Sequence, residues 1–565
     1  MKNLLLSLLV ISTTFLEAQN PLFIPSTITG TSINLILDTG TTQFYPGRNT
    51  KTMGANGILL APTIIMERDS FVNITVDNQL PDTTTMHWHG LHVSPENDGG
   101  PHSIIPPNTI WNPQFTVMDK AGTFWYHPHL HHHTDKHVSM GIAGLLLVRD
   151  AEEASLNLPM TYGVDEFPII FQTKGLDSLD QIEVHTEMDT VVMVNGTLDA
   201  TVDFPAQIVR LRVLNGSSQR VLEFGFSDNR SFSLIGTDGG LLSAPVSLTR
   251  YRMGPGQRAD ILVDLSSSLG QNFKLMSFGS GLPNGHYGAT APGIQTWQLI
   301  PGYPDNPLNG SNIQLLDIDV VAQTSSPILT IPTTLANFTP LAASSADLTR
   351  SITFTVAPGA PDLGGPFLMN DTTFVHGFVN DTVLLGATEI WSLNNHTGIA
   401  HPFHIHDVQF FILSQNGAPP PPELQGYHDV VLVPGNFSNV QFIAKFEDFA
   451  SDTVPYMYHC HMLPHEDMGM MGQFLVLETV GIDDINTNWD NLSIYPNPTE
   501  GNITIDGLKD LKTIKILSID GKLIKKTDVS NSVSTKIDMP TTKGIYLLEI
   551  ISTDGNKTIR KIIHY

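Results

Sequence analysis

Apolar residues along this chain recur at every second position in short runs, with glycine, proline and aspartate clustered between the runs. Alternation of that kind predicts β-strands with one face buried. Asn34-Leu35-Ile36-Leu37 and Phe71-Val72-Asn73-Ile74-Thr75-Val76 are early examples, and 208–214, 259–264, 352–356 and 388–393 follow the same pattern. A chain of 565 residues exceeds what one hydrophobic core serves. The strand-rich stretches divide it at 19–154, 155–325 and 326–480, with a turn-rich polar connection around 322–350. A polar linker follows at 481–490. Alternation then resumes in Thr513-Ile514-Lys515-Ile516 and Ile545-Tyr546-Leu547-Leu548-Glu549-Ile550, which predicts a small Ig-like β-sandwich over 491–565. The fold class is all-β.

Composition agrees with many turns: 46 glycines and 38 prolines accompany 41 % hydrophobic residues. Residues 1–18 read as a secretory signal peptide, with Lys2, an apolar run over 4–10, and Ala18 before Gln19. No later stretch reaches about 18 uninterrupted apolar residues, the length a spanning helix requires. Charge separates the two ends. Residues 491–565 carry eleven basic and eight acidic residues, whereas 1–490 carry 18 and 47. The tail therefore reads as a separate module. The acidic body excludes nucleic acid as its partner and favours cations over anions.

The chemistry concentrates around Cys460, the single cysteine. An exported chain with one thiol cannot close an internal disulfide. His459 and His461 flank it, His465 lies five residues on and Met470 ten, and thiolate, imidazole and thioether together are ligands that copper selects. If 456–461 is a strand, Cys460 points to one face and both flanking histidines to the other. One backbone segment then touches two metal sites. Three further clusters supply histidines: His87-Trp88-His89-Gly90, Trp125-Tyr126-His127-Pro128-His129, and His401-Pro402-Phe403-His404-Ile405-His406. Ten of the 22 histidines fall in these four clusters. The run His131-His132-His133 reads as an exposed loop, with adventitious copper binding as the lesser option. The middle stretch holds only His185 and His286 and reads as structural.

The four clusters, in this order, resemble the multicopper oxidases, over roughly residues 25–480. Asp98-Gly99-Gly100-Pro101 and Gly163-Val164-Asp165-Glu166-Phe167-Pro168 resemble the bacterial three-domain members, the copper-efflux and bilirubin-oxidase-like group. The resemblance implies three cupredoxin-like Greek-key β-barrel domains and four copper ions. It assigns His401, Cys460, His465 and the axial Met470 to a type 1 copper, with Met471 as the neighbour one register step away. It assigns His87 and His404 to a type 2 copper, and His89, His127, His129, His406, His459 and His461 to a type 3 pair. Asp98 and Glu466 match the acids that deliver protons in those enzymes; the alternative role for either is a hydrogen bond that orients a ligand imidazole.

The activity this implies is four one-electron oxidations of a reducing substrate coupled to reduction of O2 to two waters, with electrons passing from Cys460 to His459 and His461. Copper-efflux members carry a methionine-rich insertion, but only Met369 lies between 340 and 400 here. Phenols and aromatic amines, as in laccases, are therefore the expected substrates, with Cu(I) or Fe(II) as the alternative. A non-catalytic copper-binding protein, or a copper-free cupredoxin scaffold, are the readings from other classes. Tyr495-Pro496-Asn497-Pro498, Asp520-Gly521-Lys522 and Gly544-Ile545-Tyr546 resemble the C-terminal sorting domain of type IX secretion in Bacteroidetes. That implies the secretion machinery as a partner and export across the outer membrane.

Overall fold

The structure is a computed structural model and describes residues 20–295, 298–478, 492–507, 511–518, 522–529, 534–553 and 557–564. The signal peptide expected at 1–18 and the linker at 481–490 lie outside these residues, as do Asp520 and Gly521 of the tail motif. The chain forms two compact bodies, 1–477 and 478–565, and the first is built from three successive β units.

Alternation along the sequence becomes alternation of burial in the strands. In Ser32–Thr42, Ile33, Leu35 and Leu37 are fully buried while the residues between them face out. This strand pairs in parallel with Phe71–Asn78, whose Val72, Ile74 and Val76 point the same way. A parallel pair cannot be closed by a hairpin. Between the two strands the chain crosses to a second sheet through Thr63–Glu67, and that sheet is completed by Thr27–Thr29, Gly144–Arg149, Gly122–His127 and His87–His89. A core of Ile33, Leu35, Ile64, Val76, Trp88, Phe124 and Leu146 fills the space between the sheets.

The same plan recurs twice. In the middle unit Glu166–Leu176 pairs in parallel with Ile208–Asn215, and Ala200–Pro205 with Asn312–Val321. In the third, Leu348–Val356 pairs in parallel with Thr388–Asn395, and Asp381–Leu384 with Met471–Leu477. The expected connection around 322–350 carries no strand before Leu348, but it does not run free. Leu335 and Ala336 donate to the carbonyls of Ser243 and Leu242 and sit in the core of the middle unit. Ile328, Ile331 and Phe338 pack against the same core, so scattered apolar residues pin a turn-rich stretch.

The body is also locked by buried charge. Glu166 accepts from Arg149 and, at 2.8 Å, from Arg212, while Arg210 reaches Glu153 at 2.7 Å and Asp260. Each guanidinium is paired with carboxylates, as a buried cation must be. These contacts join the strand ending at Arg149 to the middle unit.

Within the tail, Asn502–Asp506 pairs with Ser493–Tyr495 and Ser534–Asp538. Leu511–Ser518 pairs with Leu523–Asp528 and Gly544–Ser552. Ile503, Ile505, Ile514, Ile516, Leu548 and Ile550 form the core between these two sheets, the sandwich that the alternation predicts.

Candidate copper centres

Strand pairing gathers the histidines. His87 lies directly opposite His127 in the antiparallel pair of His87–His89 with Gly122–His127. His404 lies directly opposite His459 where His401–Ile405 meets Tyr456–Cys460. Cross-strand partners share a face, and two-residue spacing keeps His89 and His406 on it. The strand expected over 456–461 ends at Cys460, and His461 follows it at once. The two histidine surfaces meet at the junction of the first and third units.

Four groups result. His129, His406 and His459 place their Nε2 atoms 3.1, 3.2 and 3.4 Å apart. A point about 1.9 Å from all three exists between them, near the length of a metal–imidazole bond. His89 Nδ1 faces His127 Nε2 at 3.4 Å and His461 Nε2 at 3.2 Å. His87 and His404 stand with His89 in a third group. On the other face of the Cys460 strand, Cys460 Sγ lies 3.4 Å from His401 Nδ1 and 3.6 Å from His465 Nδ1, and the two nitrogens are 3.3 Å apart. The point equidistant from these three is about 2.0 Å away, and a trigonal His2Cys set is the donor set of electron-transfer copper.

Proton positions agree with ligation. His87 Nδ1 donates to the Asp98 carbonyl and His404 Nδ1 to the Asp429 carbonyl, each at 2.8 Å. Their Nε2 atoms are buried with no hydrogen-bond partner. His401 Nε2 bonds Thr397 Oγ1 at 2.9 Å, which frees Nδ1 toward Cys460. A ring whose far nitrogen is fixed by such a bond is the usual metal-ligating histidine. Burial pushes every one of these imidazoles below its ordinary pKa, His129 and His459 to about 4 and His465 to about 3. Burial also pushes the Cys460 thiol up. A bound cation reverses that cost by pairing with the thiolate. Neutral imidazoles, orphaned nitrogens and a buried thiol fit copper.

Met470 follows Cys460 closely in space: its N–H donates to the His465 carbonyl at 2.9 Å and its carbonyl accepts from Cys460 at 3.1 Å. Met471 instead pairs with His459 and packs with Phe374 and Met457.

The two acids flank the histidine cluster. Asp98 Oδ2 meets His406 Nδ1 at 2.7 Å. Glu466 lies 3.1 Å from His129 Nδ1 and 3.2 Å from His459 Nδ1. Burial, then the Asp407 charge, raises Asp98 well above the usual carboxylate range, and burial raises Glu466. Gly99 makes the Asp98 contact available: it sits at φ +80, and any side chain there would collide with the Met86 carbonyl.

Sequence reasoning missed the residue that ties the units together. Asp429 Oδ1 touches His89 Nε2 at 3.1 Å and accepts from Arg258 Nη1 at 2.6 Å. Arg258 also donates to the Thr123 carbonyl at 3.0 Å. Residues from three units meet there, and Gly90 leaves the room, since a side chain would collide with the Asp429 carboxylate. Asp429 carries no motif, and Arg258 lies in the stretch read as structural. Asp467 was missed as well; its carboxylate accepts from the N–H groups of Thr134 and Asp135 at 3.0 Å, capping a short helix of the first unit. The loop at His131-His132-His133 is exposed only at His132. His132 Nδ1 meets the Asp467 carbonyl at 2.9 Å, and His131 stacks on His132 and packs against Phe374.

A His2Cys centre wired by one strand to a cluster of eight histidines, inside cupredoxin-like barrels, defines a copper-dependent oxidoreductase. Residues 37–153, 177–293 and 346–480 match families described as multicopper oxidase, and 493–564 match the secretion system C-terminal sorting domain. The multicopper oxidase mco of Staphylococcus haemolyticus is 32 % identical over 448 residues, 77 % of this chain and 86 % of its own length. The cell division protein FtsP of Sodalis glossinidius is 31 % identical over 77 % of this chain and 86 % of its own. Among solved structures, the bacterial laccase-like multi-copper oxidase CueO of Ochrobactrum sp. is 30 % identical with a TM-score of 0.71, covering 81 % of this chain and 100 % of that one. The chain belongs to the multicopper oxidase family.

Proposed function

We propose that this chain is an exported, laccase-like multicopper oxidase holding four copper ions and oxidising phenols or aromatic amines. His401, Cys460, His465 and Met470 hold the type 1 ion, His87 and His404 the type 2 ion, and His89, His127, His129, His406, His459 and His461 the type 3 pair. When bound, copper supplies one-electron redox chemistry at the first centre and four-electron reduction of O2 to water at the cluster. The observation that carries the reading is the gathering of ten buried histidines and Cys460 into groups of three able to hold a metal ion.

The protein's own residues do the rest. Cys460 and its bonded neighbours His459 and His461 join the two centres through covalent bonds. His465 is 5 % exposed while the other nine histidines are at most 1 % exposed, so substrate electrons arrive at its edge. The Phe367 ring, 4.5 Å from His465, walls that edge and suits an aromatic donor. Asp98 and Glu466, whose pKa values burial raises, hand protons toward the histidines they contact. The tail takes the chain through type IX secretion, in keeping with its sorting-domain match.

Support for an organic donor comes from the missing methionine-rich insertion, with Met369 alone between 340 and 400. It comes also from the Ochrobactrum relative, which has oxidase activity towards lignin model compounds and lignosulfonate. The acidic body favours a second reading, oxidation of Cu(I) or Fe(II). The cell-division relatives suggest a non-catalytic scaffold, and the full donor set speaks against that. A substrate panel read by oxygen consumption separates these readings. Turnover of phenols by the copper-loaded protein is expected. Fast turnover of cuprous ion with phenols untouched overturns the substrate preference, and no oxygen uptake with any donor overturns the enzyme.

A further inference from the structure

His133 and His137 stand one helical turn apart, the His137 N–H donating to the His133 carbonyl at 3.0 Å as the short helix Thr134–Ser139 begins. Four-residue spacing puts both imidazoles on one face, with ring centroids 5.6 Å apart. Ring pairs within the interior groups lie at similar separations, 5.1 Å for His401 and His465 and 5.5 Å for His406 and His459. His133 Nδ1 and His137 Nε2 are both buried and without a hydrogen-bond partner, and the His137 side chain is 0 % exposed.

The Thr84 hydroxyl lies 3.1 Å from His137 Nδ1 and 3.3 Å from the Thr85 carbonyl, and with its proton on that carbonyl it accepts from Nδ1. The proton on Nδ1 leaves a lone pair on Nε2, and burial keeps the ring neutral by lowering its pKa to about 4. That lone pair faces Asp82 Oδ2 at 3.9 Å. The Asp82 side chain is 30 % exposed, so a cation can reach its carboxylate beside the orphaned His137 nitrogen. The Lys136 ammonium already pairs with the same carboxylate, so a metal ion has to displace it, and its side chain is 34 % exposed.

We propose that His133, His137 and Asp82 form an additional binding site for a divalent first-row metal ion, with copper(II) bound most tightly. Two imidazoles and a carboxylate suit such ions, and copper(II) heads their affinity order. These residues belong to none of the interior groups, whose ligand atoms all lie within 4.8 Å of one another. Closing the site therefore requires the half-buried His133 to turn about its side-chain torsions.

Equilibrium dialysis of the copper-saturated holoenzyme against copper(II) alone tests this. Wild type is expected to hold one copper beyond its interior complement, with an additional axial EPR signal. His133→Ala and, separately, His137→Gln are expected to weaken that copper by at least about tenfold, leaving the blue band and oxygen uptake intact. No additional ion in wild type, or one retained at full affinity by His133→Ala, overturns the site. His133→Ala removes only a half-buried ring, so it decides the matter if His137→Gln does not fold. A failure here leaves the blue band and oxygen turnover untouched, which keeps it distinct from a failure of the oxidase reading.

Discussion

The two faces of the strand Tyr456–Cys460 carry centres built in opposite ways. The Cys460 face draws His401 and His465 from a single unit, the first from the strand paired with Tyr456–Cys460 and the second from the short helix Leu463–Asp467 that follows it. The histidine face draws on positions from 87 to 461, and its groups exist only where two units meet. The first centre is a local product of one barrel. The second depends on interfaces, which Asp429, Arg258, Glu466 and Asp467 hold together. Damage to an interface should therefore cost the cluster before it costs the mononuclear centre.

Cys460→Ser cuts the comparison at its shared strand and has the largest expected effect. The thiolate-dependent blue band should vanish and turnover fall below detection, while EPR still shows type 2 copper. Asp429→Asn attacks only the interface side. Breaking one partner of a buried pair costs roughly 3–5 kcal/mol, so thermal unfolding should come earlier. Copper content should fall at the cluster with the blue band preserved.

Glu466→Gln keeps the shape and removes the acid. Oxygen reduction should slow by about 10–100-fold with the blue band unchanged. The pH profile gives the sign. Glu466 and Asp98 have raised pKa values, so they hold protons above the usual carboxylate range and lose them as pH rises through the raised values. Activity limited by proton delivery should fall along that limb, and Glu466→Gln should alter the limb's position. A profile identical to wild type would leave Glu466 only an orienting role. The smallest effect belongs to the tail: truncation after Leu477 should leave copper content and turnover unchanged, since 1–477 is a compact body by itself.

Legibility in the sequence follows the same division. Strand period and residue chemistry are local properties, so the alternation of Ile33, Leu35 and Leu37, the histidine pairs and the two-faced role of Cys460 are all written in short stretches of chain. Asp429 is not. A single aspartate in His428-Asp429-Val430 has no spacing to distinguish it, and its partners His89 and Arg258 lie 340 and 171 residues away. Leu335 and Ala336 show the same limit, since two apolar residues in a turn-rich stretch do not declare which core they join. His131-His132-His133 reads as a solvated loop because polar runs usually are, while the Asp467 carbonyl that holds His132 comes from another unit. Long-range pairing between unpatterned residues leaves no mark in local sequence.

The central claim is that one strand couples a mononuclear copper to a cluster that reduces O2 completely. The most direct measurement is the ratio of donor oxidised to O2 consumed by the copper-loaded protein, with peroxide assayed alongside. Four one-electron oxidations per O2, an intense blue colour and no peroxide are predicted. A colourless, oxygen-inert protein, or two electrons per O2 with peroxide released, would contradict it.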